Sequence, residues 1–174
     1  MRGPRLSETS YVVLGLLEQA QPATPYTLKR LAKLTTDHFW ALPHTQLYNE
    51  CARLAREGLL SERIEKAGRR RRFYRLSARG RRALAAWREE PAAELFELRD
   101  RATLKLFFGA DPAVVAEHQI AVHRAKLAEY EALRGQILEV VPPGQLRALD
   151  VGIAHERAMI AIWGEISVNR TQGV

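Results

Sequence analysis

The stretch Pro43-His44-Thr45-Gln46-Leu47-Tyr48-Asn49-Glu50-Cys51-Ala52-Arg53-Leu54-Ala55-Arg56-Glu57-Gly58-Leu59-Leu60, with the alternating pattern that follows it, decides the fold. Proline suits the first turn of a helix, where its missing N–H has no intrahelical acceptor to lose, so Pro43 opens one. Leu47, Cys51 and Leu54 then recur at the spacing that lines a single helix face. Gly58 follows Glu57 where a C-terminal cap is wanted, and a helix over about 43–57 is predicted. Beyond it, Leu60, Glu62 and Ile64 share one face of an extended run, and Tyr74 and Leu76 share one face of another. Between them lies the turn Ala67-Gly68-Arg69-Arg70, so Leu60–Lys66 and Arg71–Leu76 are predicted to form a two-stranded hairpin.

Working outward, Ser7 is placed to cap a helix reaching Glu18, with Tyr11, Val12, Leu14, Leu16 and Leu17 as its apolar residues. Gln21–Pro25 breaks the chain, and a second helix is predicted from about Tyr26, with Leu28, Leu31 and Leu34 on one face and Lys29, Arg30 and Lys33 on the other. After the hairpin, Ser77 caps a fourth helix carrying Leu84 and Trp87, and Pro91 ends it. A fifth is expected from about Glu94, with Leu95, Leu98, Leu104, Leu106 and Phe107, to Gly109. Asp111-Pro112 opens a long sixth reaching about Val140, and after Pro142-Pro143-Gly144 a seventh runs from about Gln145 to Ser167. Three helices, a hairpin and another helix are the order of a winged helix-turn-helix, whose third helix enters the major groove. The expected fold class is all-α with a small β-wing: a winged helix-turn-helix domain over residues 1–90, then a helical dimerisation domain over 91–174.

Charge divides the chain in the same place. Residues 1–90 hold 18 Lys and Arg against 9 Asp and Glu, whereas residues 91–174 hold 9 against 11, so the whole basic excess is N-terminal. One half is built to meet a polyanion. Arg69, Arg70, Arg71 and Arg72 crowd the hairpin tip, where their mutual repulsion calls for an anionic partner. Phosphates or a narrow minor groove satisfy such a cluster, and so does plain solvation of a charged turn. On the third helix, Thr45, Gln46, Tyr48 and Asn49 avoid the Leu47–Cys51–Leu54 face and are candidates for base contact. A solvated polar face fits them equally, and Tyr48 is also suited to pack against the wing.

In the C-terminal half, Ile120, Leu127, Tyr130 and Ile137 recur at helical spacing, as do Leu149, Ile153, Ile160 and Trp163. Two such seams are expected to pair two copies of the chain, the alternative being that the helices pair within one chain. The single cysteine, Cys51, fits a reducing compartment; with neither a signal-peptide pattern nor an apolar membrane span, a cytoplasmic location is expected. No phosphate loop or nucleophile elbow occurs, so no enzyme, catalytic residue or cofactor is expected. No metal site is expected either, because His118 and His123 are five apart and His155-Glu156 lacks a second ligand nearby.

Several segments together resemble the PadR-like regulators. Leu6-Ser7 with Val13-Leu14-Gly15-Leu16-Leu17 resembles that family's opening helix, and Leu47-Tyr48 through Glu57-Gly58-Leu59-Leu60 resembles its recognition-helix signature. Arg72-Phe73-Tyr74-Arg75-Leu76-Ser77 with Gly80 resembles its wing strand and helix cap, with Ser77 where Thr is usual. Leu98-Arg99-Asp100 with Leu104-Lys105-Leu106-Phe107-Phe108 resembles its link to the C-terminal domain, whose length here looks like the larger subfamily with a virulence-activator-type helical domain. The resemblance implies a DNA-binding transcriptional regulator, a homodimeric repressor on an inverted-repeat operator, released by a small aromatic or hydrophobic effector. Tyr26 and Thr27 join the DNA-binding set, although Thr24-Pro25-Tyr26 departs from the family's Gly-Tyr opening and with it from the phosphate contact carried over to Tyr26. The implied partners are double-stranded DNA and a second copy of the chain, with no membrane. A winged helix that docks on an acidic protein, or an RNA-binding protein with Phe73 as a stacking candidate, are the alternatives.

Overall fold

The computed structural model describes residues 5–66, 70–92, 99–137 and 141–168, which fall in two compact units, Met1–Glu94 and Leu95–Val174. The first contains α1 (Glu8–Ala20), α2 (Pro25–Leu34), α3 (His44–Arg56), the strands β1 (Leu60–Ile64) and β2 (Arg72–Leu76), and α4 (Ala78–Glu89). Each start has a local cause. Ser10 Oγ accepts the Ser7 N–H at 2.9 Å ahead of α1, Thr24 Oγ1 accepts the Thr27 N–H at 3.2 Å on α2, and Ser77 Oγ accepts the Gly80 N–H at 3.0 Å on α4. Each satisfies a backbone donor that the first helical turn leaves without a partner. Gly58 closes α3 at φ 73, the left-handed conformation that glycine adopts without a Cβ clash.

One core joins these elements. Val13, Leu14, Leu16 and Leu17 of α1 meet Leu28 of α2, Leu47, Cys51 and Leu54 of α3, Tyr74 and Leu76 of β2, and Leu84 of α4. The strands pair antiparallel with Leu60 opposite Leu76 and Ile64 opposite Arg72, and Ala23 adds a bridge to Tyr74. Only Leu60 of β1 is buried. The expected alternation therefore fails at Ile64, which is exposed, because the hairpin runs past the core and its outer end covers nothing.

The second unit contains α5 (Arg101–Phe107), α6 (Pro112–Ile137) and α7 (Pro143–Val168). The fifth helix does not run unbroken to Gly109: Asp100 is extended and accepts the N–H groups of Ala102 and Thr103 at 3.0 and 2.9 Å, so α5 begins after it, and the expected start at Glu94 lies outside the described residues. Leu95, Leu98 and Val140 lie outside the described residues. α6 and α7, each of 26 residues, run antiparallel, as the pairs His123–Glu156 at 2.5 Å and Arg134–Asp150 at 2.7 Å require. Tyr130 lies against Gly152, where an added Cβ would stand 3.1 Å from the ring.

Three of the eight residues of the two seams read from the sequence are buried by contacts within the chain. Tyr130, Ile153 and Trp163 are buried within a single chain. Ile120 packs on the cluster of Ala102, Ala116 and Trp163, and Leu127, Ile137, Leu149 and Ile160 are partly covered. Burial of Tyr130, Ile153 and Trp163 thus needs no second copy, since two antiparallel helices of equal length cover each other's apolar faces.

Candidate nucleic-acid interface

The core fixes which side of α3 faces outward. Leu47, Cys51 and Leu54 are wholly buried, which leaves Thr45, Gln46, Tyr48 and Asn49 exposed on the remaining surface. Tyr48 packs its ring on His44 at 4.3 Å between centroids. Gln46 reaches back to α1, where its Nε2 donates to Thr9 Oγ1 at 3.0 Å. One turn further along, Ser10 Oγ donates to Glu50 Oε1 at 2.6 Å, and Arg53 donates to both Glu50 oxygens at 2.9 and 2.6 Å. Arg53 also bonds Ser10 Oγ at 2.9 Å and Glu57 at 2.8 Å. Burial pushes the Glu50 carboxyl up, but the hydrogen bonds from Arg53 and Ser10 outweigh it and hold the group below the ordinary carboxylate range. A charged network therefore clamps α3 to α1 beside its exposed face.

At the head of α2, Tyr26 is 61 % exposed and Thr27 is also exposed. The Thr27 hydroxyl lies 3.0 Å from that of Thr24, within the cap. Lys29 on the same helix is tied to Asp37 at 2.6 Å and to the Leu42 carbonyl at 2.8 Å, which anchors the connection into α3.

The hairpin carries Arg70, Arg71 and Arg72, all exposed; Arg69 lies outside the described residues. Arg70 has a positive φ of 47, a turn conformation uncommon for residues other than glycine. The expected mutual repulsion is relieved inside the wing itself. Arg71 bonds both oxygens of Glu65 at 3.1 Å, and Arg72 bonds Glu62 at 2.9 Å, which also accepts the Tyr74 hydroxyl at 2.9 Å. The hydrogen bonds and charge of Glu65 and Glu62 raise Arg71 and Arg72 above the ordinary guanidinium value. Phe73 is flanked by Arg63 and Arg71 at 5.3 and 5.8 Å, so its ring is already engaged with cations. Such exposed pairs are weak and screened by salt, and both guanidinium groups keep open surface.

Sequence reasoning missed Thr9 and Ser10, which meet α3 only when α1 packs on it, and the Glu50–Arg53–Glu57 pairs, whose i,i+3 and i,i+4 spacing on one helix was a usable signal. It also missed Glu62 and Glu65 as wing partners, although the place of Glu65 across from Arg71, and of Glu62 diagonal to Arg72, was a usable signal. Among the described residues no group of His, Cys, Asp and Glu is arranged to hold a metal, and no helix is long and apolar enough to cross a membrane.

A three-helix core, an exposed polar face on the third helix and a basic two-stranded wing define a winged helix-turn-helix protein. The model of the transcriptional regulator PadR-like family matches residues 13–86, the span from α1 into α4. The chain is 24 % identical over 151 residues to the negative transcriptional regulator PadR of Bacillus subtilis (strain 168), covering 82 % of this chain and 81 % of that protein. The crystal structure of Bacillus subtilis PadR in complex with operator DNA superposes with a TM-score of 0.82 at 20 % identity, over 94 % of this chain and 100 % of the other. The same protein in complex with p-coumaric acid gives 0.76 at 20 % identity, over 94 % and 97 %. The virulence activator AphA of Vibrio cholerae gives 0.68 at 20 % identity, over 92 % and 96 %. At these identities the structural likeness establishes a shared fold.

Proposed function

We propose that the chain is a cytoplasmic, ligand-responsive repressor that binds double-stranded DNA as a homodimer, with the first unit on DNA and the second carrying the dimer contacts. The observation that carries this is the exposed polar face of α3 beside a hairpin whose arginines keep open surface. Gln and Asn side chains have the donor and acceptor needed to pair with adenine, and Thr offers a hydroxyl and a methyl. Arg70, Arg71 and Arg72 serve phosphates, which position a protein without specifying sequence. The pairs with Glu62 and Glu65 are weak enough for phosphate to replace them. PadR of Bacillus subtilis has been solved both with operator DNA and with p-coumaric acid, and this supports DNA and a small aromatic effector as ligands here. Fluorescence anisotropy decides between partners: the full chain should bind duplex DNA, with affinity falling steeply as salt rises, and bind RNA or an acidic polypeptide far more weakly. Equal or tighter binding to RNA or polyglutamate would refute the assignment.

A further inference from the structure

Gln46 is exposed in the first turn of α3, yet its amide is not free. Its nitrogen donates to Thr9 Oγ1 at 3.0 Å, and Thr9, on α1, is only 8 % exposed. The Ser10–Glu50–Arg53 network holds the same two helices together beside this contact, so the place of the Thr9 hydroxyl is set by helix packing. We propose that Thr9 is a positioning residue that presets the Gln46 amide to read adenine, an inference that rests on α3 being the helix that reads DNA. A glutamine amide has two N–H donors and one carbonyl. With one donor spent on Thr9, one N–H and the carbonyl remain. Adenine offers N7 as acceptor and its N6 amino group as donor, which that remainder matches. Guanine offers two acceptors, N7 and O6, and a matching contact needs both N–H groups of an unanchored amide. The buried hydroxyl therefore sets which base the exposed side chain prefers, from a helix that touches no base.

The test is selection from a random duplex library with the full chain, comparing wild type with Thr9→Val, Thr9→Ala, Thr9→Ser and Gln46→Ala. Wild type and Thr9→Ser should prefer adenine over guanine at one half-site position, by on the order of ten- to a hundred-fold. Thr9→Val and Thr9→Ala should lose that preference while keeping the affinity for random duplex and its salt dependence. Gln46→Ala should lose the same preference at the same position, and adding Thr9→Val to it should change nothing more. The second truncation covers the case in which a valine at that site disturbs the fold. Retention of the adenine preference in the Thr9 variants, with its loss in Gln46→Ala, would overturn the role of Thr9 and leave Gln46 as the reader. A wild-type preference for guanine would mean the amide presents both hydrogens, and would overturn the proposal as well. No base preference in wild type would overturn α3 as the reading helix and the inference with it.

Discussion

At Gly80 the first turn of α4 passes so close to the chain before β1 that a Cβ would stand 2.2 Å from the Leu59 carbonyl oxygen. That oxygen also accepts from the Ser77 N–H at 3.0 Å and hydroxyl at 2.9 Å, so it has little freedom to retreat. Gly80→Ala should destabilise the protein by about 1–3 kcal/mol, as overpacking of a tight site does, read as a lower urea midpoint. Gly135 on α6 has nothing within 4 Å, and there alanine should stabilise by about 0.5–1 kcal/mol; equal effects at the two glycines would contradict the contact. Cys51 is wholly buried, and burial first, then the charge of Glu50, pushes its thiol up to about 12. Native protein should leave this thiol unreacted with a disulfide reagent, and denaturant should release it; rapid native labelling would show that α3 does not pack as described. Glu50 titrates below its usual 4.5 in the folded chain. The folded state then binds fewer protons than the unfolded one, so the stabilisation from Glu50 is complete above 4.5 and is lost as pH falls through the lowered value. Urea midpoints of wild type and Glu50→Gln should lie apart above pH 4.5 and converge in acid; parallel profiles would place the effect elsewhere. Local chemistry such as the Ser77 cap was readable from the sequence, because cap and donor are three residues apart. The Gln46–Thr9 contact spans 37 residues, and no spacing pattern encodes it.

Among the elements, α3 and β2 followed from periodicity because core burial imposes one apolar face on each, whereas β1 meets the core only at Leu60. The start of α5 did not, since Leu95 and Leu98 extend the apolar pattern upstream of Asp100, whose carboxylate caps the helix at Arg101. For α6 and α7 the seams were visible, but periodicity cannot tell whether a seam meets its own chain or a copy. Burial within one chain answers this for Tyr130, Ile153 and Trp163, whereas Ile120, Leu127, Ile137, Leu149 and Ile160 stay partly uncovered. The wing makes a sharper prediction. If its arginines exchange Glu62 and Glu65 for phosphates, replacing Arg69, Arg70, Arg71 and Arg72 by Ala should weaken all duplexes alike. Each lost phosphate contact should flatten the slope of log affinity against log salt by about 0.9. An unchanged slope would remove the wing from the interface.

For the whole molecule, the apolar residues that the helix pair leaves uncovered set the expectation. Leu104, Phe107 and Phe108 of the α5 region, Val122 on α6 and Val151 and Ile162 on α7 are all exposed in the single chain. Surface of this kind favours association with a second copy, and light scattering of the full chain should return twice 19.7 kDa. A two-fold dimer presents its two α3 helices in opposite directions. Its binding site is then an inverted repeat with half-sites about one helical turn, ~34 Å, or a multiple of it apart. The most direct test is selection of bound duplexes from a random library by the full-length protein. Enrichment of an inverted repeat with that spacing, its base preferences lost when Gln46 and Asn49 are replaced by Ala, is the expected result; recovery by the unaltered chain of unpaired, asymmetric sites, or of no preferred sequence, would contradict a dimer that reads DNA through α3.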